Sequence, residues 1–88
     1  MLTTLSMANE VIIVTDDNGL PISGAEVMAM SYSINMKSIF TNSRGEAALK
    51  KSIQELKWVN IAKKEYETSH VQITGEWPLY VQLQKQKK

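Results

Sequence analysis

Short stretches with the two-residue alternation of a β-strand recur along this chain, separated by turn signals at intervals of about ten residues. The first stretch, residues 10–15, is rich in β-branched residues and leads into Asn18-Gly19, a strong turn signal. No long segment shows the helical period, and there is no internal repeat. In a chain of 88 residues, 43% of them hydrophobic, this pattern predicts one all-β domain with a single core.

The alternation predicts about seven strands, the number typical of a small sandwich. After residues 10–15, the predicted strands are 25–33, 38–41, 46–50, 57–62, 71–74 and 79–83. The turn at 42–45 predicts a hairpin between the third and fourth strands, and 52–55 is predicted to be a loop or one helical turn. We expect a sandwich at 10–84, an N-terminal arm at 1–9 that docks on a neighbour, and a basic tail at 85–88.

Four segments carry a resemblance to a known family. They are V-I-I-V-T-D-D-N-G-L-P-I-S-G-A-E-V at 11–27, T-N-S-R-G at 41–45, V-N-I-A at 59–62 with Tyr66, and L-Y-V-Q-L at 79–83. In this order they resemble the carboxypeptidase regulatory-like and transthyretin-like domains. The resemblance implies a small antiparallel Greek-key, Ig-like β-sandwich of a mostly non-catalytic kind, appended to enzymes, receptors, surface proteins or large assemblies. Such domains usually place Gly before the Tyr, where this chain has Glu65, so we expect a differently shaped corner there.

The enzymatic branch of the transthyretin-like group hydrolyses hydroxyisourate with several His and Arg residues and a characteristic C-terminal tetrapeptide. This chain has one histidine, His70, and one arginine, Arg44, and it ends in Q-K-Q-K-K. We therefore predict no catalytic residues, and keep the hydrolase as a remote alternative. Zinc sites need three or four protein ligands, and the chain has no cysteine. We predict no metal or cofactor, and interpret His70 as a solvent-facing residue.

Five side chains are the candidates for binding a partner: Met28, Met30, Trp58, Trp77 and Tyr80. Alternation turns Ala25, Val27 and Ala29 inward, which leaves Met28 and Met30 half-exposed on the outer side. Trp58 alternates against Val59 and Ile61, Trp77 lies in a turn before Pro78, and Tyr80 alternates against Val81. An exposed Trp is a favoured anchor for proteins and for sugar rings, and the alternative is that each Trp covers an end of the sandwich.

The charge pattern bears on the class of partner. Without Lys85, Lys87 and Lys88 the formal net charge falls from +1 to −2, which argues against a nucleic-acid-binding face. Residues 1–10 lack the basic start and apolar run of a signal peptide, and no apolar run approaches the roughly 18 residues of a membrane span. If the chain is full-length, we expect it in the cytoplasm or in a particle assembled there.

These observations lead to one function hypothesis and two alternatives, of which the hydrolase is the remote one. The chain is predicted to be a non-enzymatic accessory module that binds a protein partner, either a large assembly or a homo-oligomer. A decoration or minor structural protein of a virus (phage) particle is the specific form we expect. The other alternative is a carbohydrate-binding or adhesion module that uses an exposed Trp as a stacking platform.

Overall fold

A computed structural model describes residues 10–32, 38–49 and 56–87. Within these residues there are seven strands and no helix: β1 Glu10–Thr15, β2 Glu26–Met30, β3 Ile39–Phe40, β4 Glu46–Leu49, β5 Trp58–Ala62, β6 Ser69–Gln72 and β7 Leu79–Gln82. The predicted all-β class and the number of strands are confirmed. The predicted arm at 1–9 and the predicted loop or helical turn at 52–55 lie outside the described residues.

The strands form two sheets, in the orders β4-β1-β7 and β3-β2-β5-β6. All pairs are antiparallel except β1 with β7, which run parallel. β7 follows β6, which belongs to the other sheet, so the chain crosses between the sheets before β7 pairs with β1. Parallel strands need a crossover of this kind, whereas antiparallel strands can be joined by a hairpin. The expected antiparallel sandwich therefore contains one parallel pair.

One core forms between the sheets, and the alternation of the sequence explains its composition. Val27 and Ala29 of β2 and Val59 and Ile61 of β5 are buried, as predicted. The three-stranded sheet contributes side chains such as Ile12 to the same cluster. Burial of each large aliphatic side chain is worth roughly 1.5–3 kcal/mol. The full core consists of Ile12, Val14, Ile22, Ala25, Val27, Ala29, Ala47, Leu49, Leu56, Val59, Ile61, Val81 and Leu83.

The predicted hairpin between the third and fourth strands is wrong. β3 pairs with β2 and β4 pairs with β1, so the turn at 42–45 carries the chain from one sheet to the other. Thr41, at the end of β3, fixes this crossing: its hydroxyl donates to the Ile22 carbonyl at 2.6 Å and accepts from the Ala25 N–H at 2.9 Å. A turn signal shows where a chain reverses, but not which strand it then joins.

The boundaries of β6 also differ from prediction. β6 begins at Ser69, two residues before the predicted start, because residues 69–72 pair with β5. At the other end of the chain, Lys85 pairs with Tyr66 and the Gln86 N–H donates to the Glu65 carbonyl at 2.9 Å. Backbone hydrogen bonding thus extends into residues 85 and 86 of the segment predicted to be a basic tail.

The corner at 63–66 turns through a residue with left-handed backbone. Glu65 has φ of +76°, in the region that glycine favours. The N–H of Tyr66 donates to the Lys63 carbonyl, and the Glu65 carbonyl accepts from Gln86, so the turn is held on both sides. The corner therefore makes a turn suited to glycine with glutamate in its place.

Glu65→Gly is expected to raise the free energy of unfolding by about 0.5–1 kcal/mol. Relief of the left-handed strain is worth roughly 1–2 kcal/mol, and the greater freedom of glycine in the unfolded chain offsets part of it. Glu67→Gly is the matched control, because Glu67 is exposed and has no positive φ. Urea unfolding should show a gain for the first variant and a small loss for the second. A loss for both would contradict the strain at Glu65.

Within the described residues, no helix is long and apolar enough to cross a membrane.

Candidate functional site

The outer face of the four-stranded sheet carries a group of aromatic, methionine and amide side chains. The register places Met30 opposite Trp58 and Met28 opposite Asn60, on the face that points away from the core. Asn60 in turn lies opposite His70 of β6. With Tyr32, which follows β2, these residues form what we call the aromatic platform: Met28, Met30, Tyr32, Trp58, Asn60 and His70.

Trp58 occupies the centre of the platform. Its ring meets Tyr32 in an edge-to-face contact, with centroids 5.4 Å apart and planes at 75°. The centroid of the Trp58 ring also lies 5.7 Å from that of the His70 ring on β6, and the two ring planes meet at 33°. Edge-to-face aromatic pairs are favourable by roughly 0.5–1.5 kcal/mol beyond area burial, so the contact with Tyr32 restrains the Trp58 ring. Tyr32 remains 89% exposed, and its ring is offered almost entirely to solvent.

His70 and Asn60 form a polar pair next to this ring. The distance from His70 Nδ1 to Asn60 Oδ1 is 2.6 Å. An amide oxygen accepts only, so Nδ1 donates, and in the neutral ring Nε2 is the acceptor. The platform therefore presents to a ligand an aromatic surface and, next to it, the His70 Nε2 atom, whose ring is oriented by the hydrogen bond to Asn60.

The structure brings together three of the five predicted binding residues and separates the other two. Met28, Met30 and Trp58 share the platform, with the methionines half-buried. Trp77 is half-buried and packs against the core, which agrees with the alternative in which it covers part of the sandwich. Tyr80 is 70% exposed, but it lies on β7 of the other sheet.

Sequence reasoning missed Tyr32, Asn60 and His70 as members of the platform. Asn60 is two residues after Trp58 in the same strand, so the sequence already indicated that both side chains lie on the same face of the sheet. The pairing of Asn60 with His70 depends on the register between β5 and β6, which alternation does not give. His70 is exposed, as predicted, but it lies within a strand and contacts two platform residues.

The described residues contain no group of three or more His, Asp or Glu side chains placed to hold a metal ion. The platform side chains offer contacts through aromatic and thioether groups, and hydrogen bonding through Asn60 and His70.

Comparison with protein-family models matches no family, and a search of curated proteins finds no significant match. The resemblance to carboxypeptidase regulatory-like and transthyretin-like domains stays a prediction that rests on the four quoted segments.

Proposed function

We propose that this protein is a non-enzymatic binding module that attaches to a protein partner through the aromatic platform. The observation that carries the proposal is the joining of Tyr32, Trp58 and two methionines on one solvent-facing sheet surface. Tyr, Trp and Met are enriched at protein interfaces, and Trp and Tyr dominate their binding energy. Methionine adapts to the shape of a partner surface.

Rigidity adds to the case for a recognition surface. Trp58 contacts the rings of both Tyr32 and His70, and these contacts restrict its rotamers before a partner binds. The His70–Asn60 hydrogen bond fixes the polar atoms in the same way. A surface ordered in advance loses less entropy when a partner covers it.

A large assembly, such as a virus particle, is the partner we propose from the sequence. In an extract of the organism that makes it, the protein is expected to co-sediment with a megadalton particle in a sucrose gradient, at a fixed ratio to a major subunit. Recovery only at the top of the gradient would contradict an assembly partner.

Tyr32→Ala is expected to weaken partner binding by about tenfold or more, because an exposed aromatic anchor would be lost. Its free energy of unfolding should fall by no more than about 1.5 kcal/mol, since Tyr32 is exposed and loses only its ring contact with Trp58. Tyr80→Ala removes an equally bulky exposed ring from the other sheet and serves as the control. If Tyr32→Ala and Tyr80→Ala stay bound to the particle equally well, the platform is not part of the interface.

A carbohydrate is the second candidate ligand, and the placing of His70 and Asn60 beside Trp58 favours it. Sugar rings stack on aromatic faces while neighbouring polar groups bind their hydroxyls. A glycan array separates the two candidates: a saturable glycan signal that is lost in Trp58→Ala supports the sugar, and an empty array supports the protein partner.

A further inference from the structure

A shallow cleft, separate from the aromatic platform, lies at the other end of β2 and β5, near the corner at 63–66. It is wide open to solvent and has a volume of about 560 Å³. Phe40, 62% exposed, lines it together with the half-buried Tyr66. Two lysines and two glutamates are the charged lining residues: Lys63, Lys64, Glu26 and Glu65.

Lys63 is the cation that the fold positions most closely. It is half-buried, and its Nζ lies so near Gly24 that a Cβ built there would be 3.2 Å from it. No hydrogen bond or ion pair links this ammonium to any described residue. Glu26 lines the same cleft, but its Oε2 accepts from the Ser38 hydroxyl at 2.7 Å. Lys63 therefore offers donors to a ligand from a partly desolvated position.

The corner fixes the backbone of Lys63, while the ammonium group extends toward Gly24. The Lys63 carbonyl accepts a hydrogen bond from the Tyr66 N–H, and the Glu65 carbonyl accepts one from the Gln86 N–H. Glu65 keeps its left-handed backbone between these two hydrogen bonds. Strained backbone held by its surroundings is typical of binding sites.

We propose that this cleft binds the carboxyl terminus of a polypeptide that ends in an apolar residue. The carboxylate would accept from the Lys63 ammonium, and the apolar side chain would lie against Phe40. A terminal residue carries both groups on one Cα, which matches a cation and an exposed aromatic ring in one cleft. With two lysines and two glutamates the cleft is neutral, so it suits a singly charged carboxylate better than a doubly charged phosphate.

The proposal goes beyond the function of the platform and does not depend on it. The test uses two probes that differ only in charge, N-acetyl-L-phenylalanine and its neutral amide, added at millimolar concentration to the ¹⁵N-labelled protein. The acid is expected to give saturable shifts of the backbone amides at 24–26 and 62–66, and the amide to give none. Equal shifts from both probes, shifts confined to the platform, or no shifts would each overturn the proposal.

Variants add a second readout. Lys63→Gln is expected to weaken binding of the acid by about tenfold, the loss of one charge-assisted hydrogen bond. Lys64→Gln is the matched control, because Lys64 is exposed, and a loss of no more than about threefold is expected. The spectrum of each free variant shows whether it is folded. Unchanged affinity in Lys63→Gln would overturn the assignment of this lysine.

Discussion

Gly45→Ala is expected to lower the free energy of unfolding by about 3 kcal/mol or more. A Cβ at residue 45 would lie 2.5 Å from the Val14 carbonyl oxygen, and 3.2 Å from Pro21 Cβ. The first contact is with backbone: the Val14 carbonyl also accepts from the Ile22 N–H at 3.0 Å, so it cannot move aside without weakening that hydrogen bond. Gly45 also has φ of +76°, so an alanine there is strained before any contact is counted. Small domains have only about 5–15 kcal/mol of stability, so the loss should be easy to measure.

Gly19→Ala is the matched control for this prediction. Gly19 has φ of +83°, but a Cβ there would meet nothing within 4 Å. The backbone strain alone should cost about 1 kcal/mol. Urea unfolding followed by circular dichroism measures both variants. Equal losses would show that the approach of Gly45 to Val14 contributes nothing.

Thr41→Val is expected to cost about 2–4 kcal/mol, the second largest effect. The Thr41 side chain is 4% exposed, and its hydroxyl both donates to Ile22 and accepts from Ala25. Valine has nearly the same shape, so the change removes the hydroxyl and leaves a buried carbonyl and a buried N–H without partners. Each such group costs about 1–3 kcal/mol.

Two further variants isolate this hydroxyl. Thr41→Ser keeps it and should recover most of the loss, whereas Thr68→Val changes an exposed threonine and should stay within about 0.5 kcal/mol of the wild type. If Thr41→Val unfolds at the same urea concentration as the wild type, the hydroxyl does not join the crossing loop to the segment before β2.

Much of the fold was predictable because strand alternation is a local property. The alternation placed Val27, Val59 and Ile61 in the core, and turn residues separated the strands. Sheet membership is not local. The crossing at 42–45 depends on Thr41 meeting backbone that lies 19 residues away in sequence at Ile22, and a turn signal does not contain that contact.

In the candidate site too, local alternation was predictable from the sequence, whereas contacts between strands were not. Alternation indicated that Met28, Met30 and Trp58 point outward, but it gave the same answer for Tyr80, which lies on the other sheet. Only the register of β2, β5 and β6 brings Trp58 and His70 together. The Tyr32–Trp58 contact is likewise tertiary, because Tyr32 lies outside any strand.

Site-specific photo-crosslinking tests directly whether the aromatic platform is the surface that binds the partner protein. A benzophenone amino acid is placed at Tyr32 on the platform, or at Tyr80 on the other sheet, in cells that make the protein, and crosslinked products are identified by mass spectrometry. One dominant crosslinked protein is expected from position 32 and none from position 80. Crosslinks from position 80 alone, or from neither position, would contradict binding through the aromatic platform.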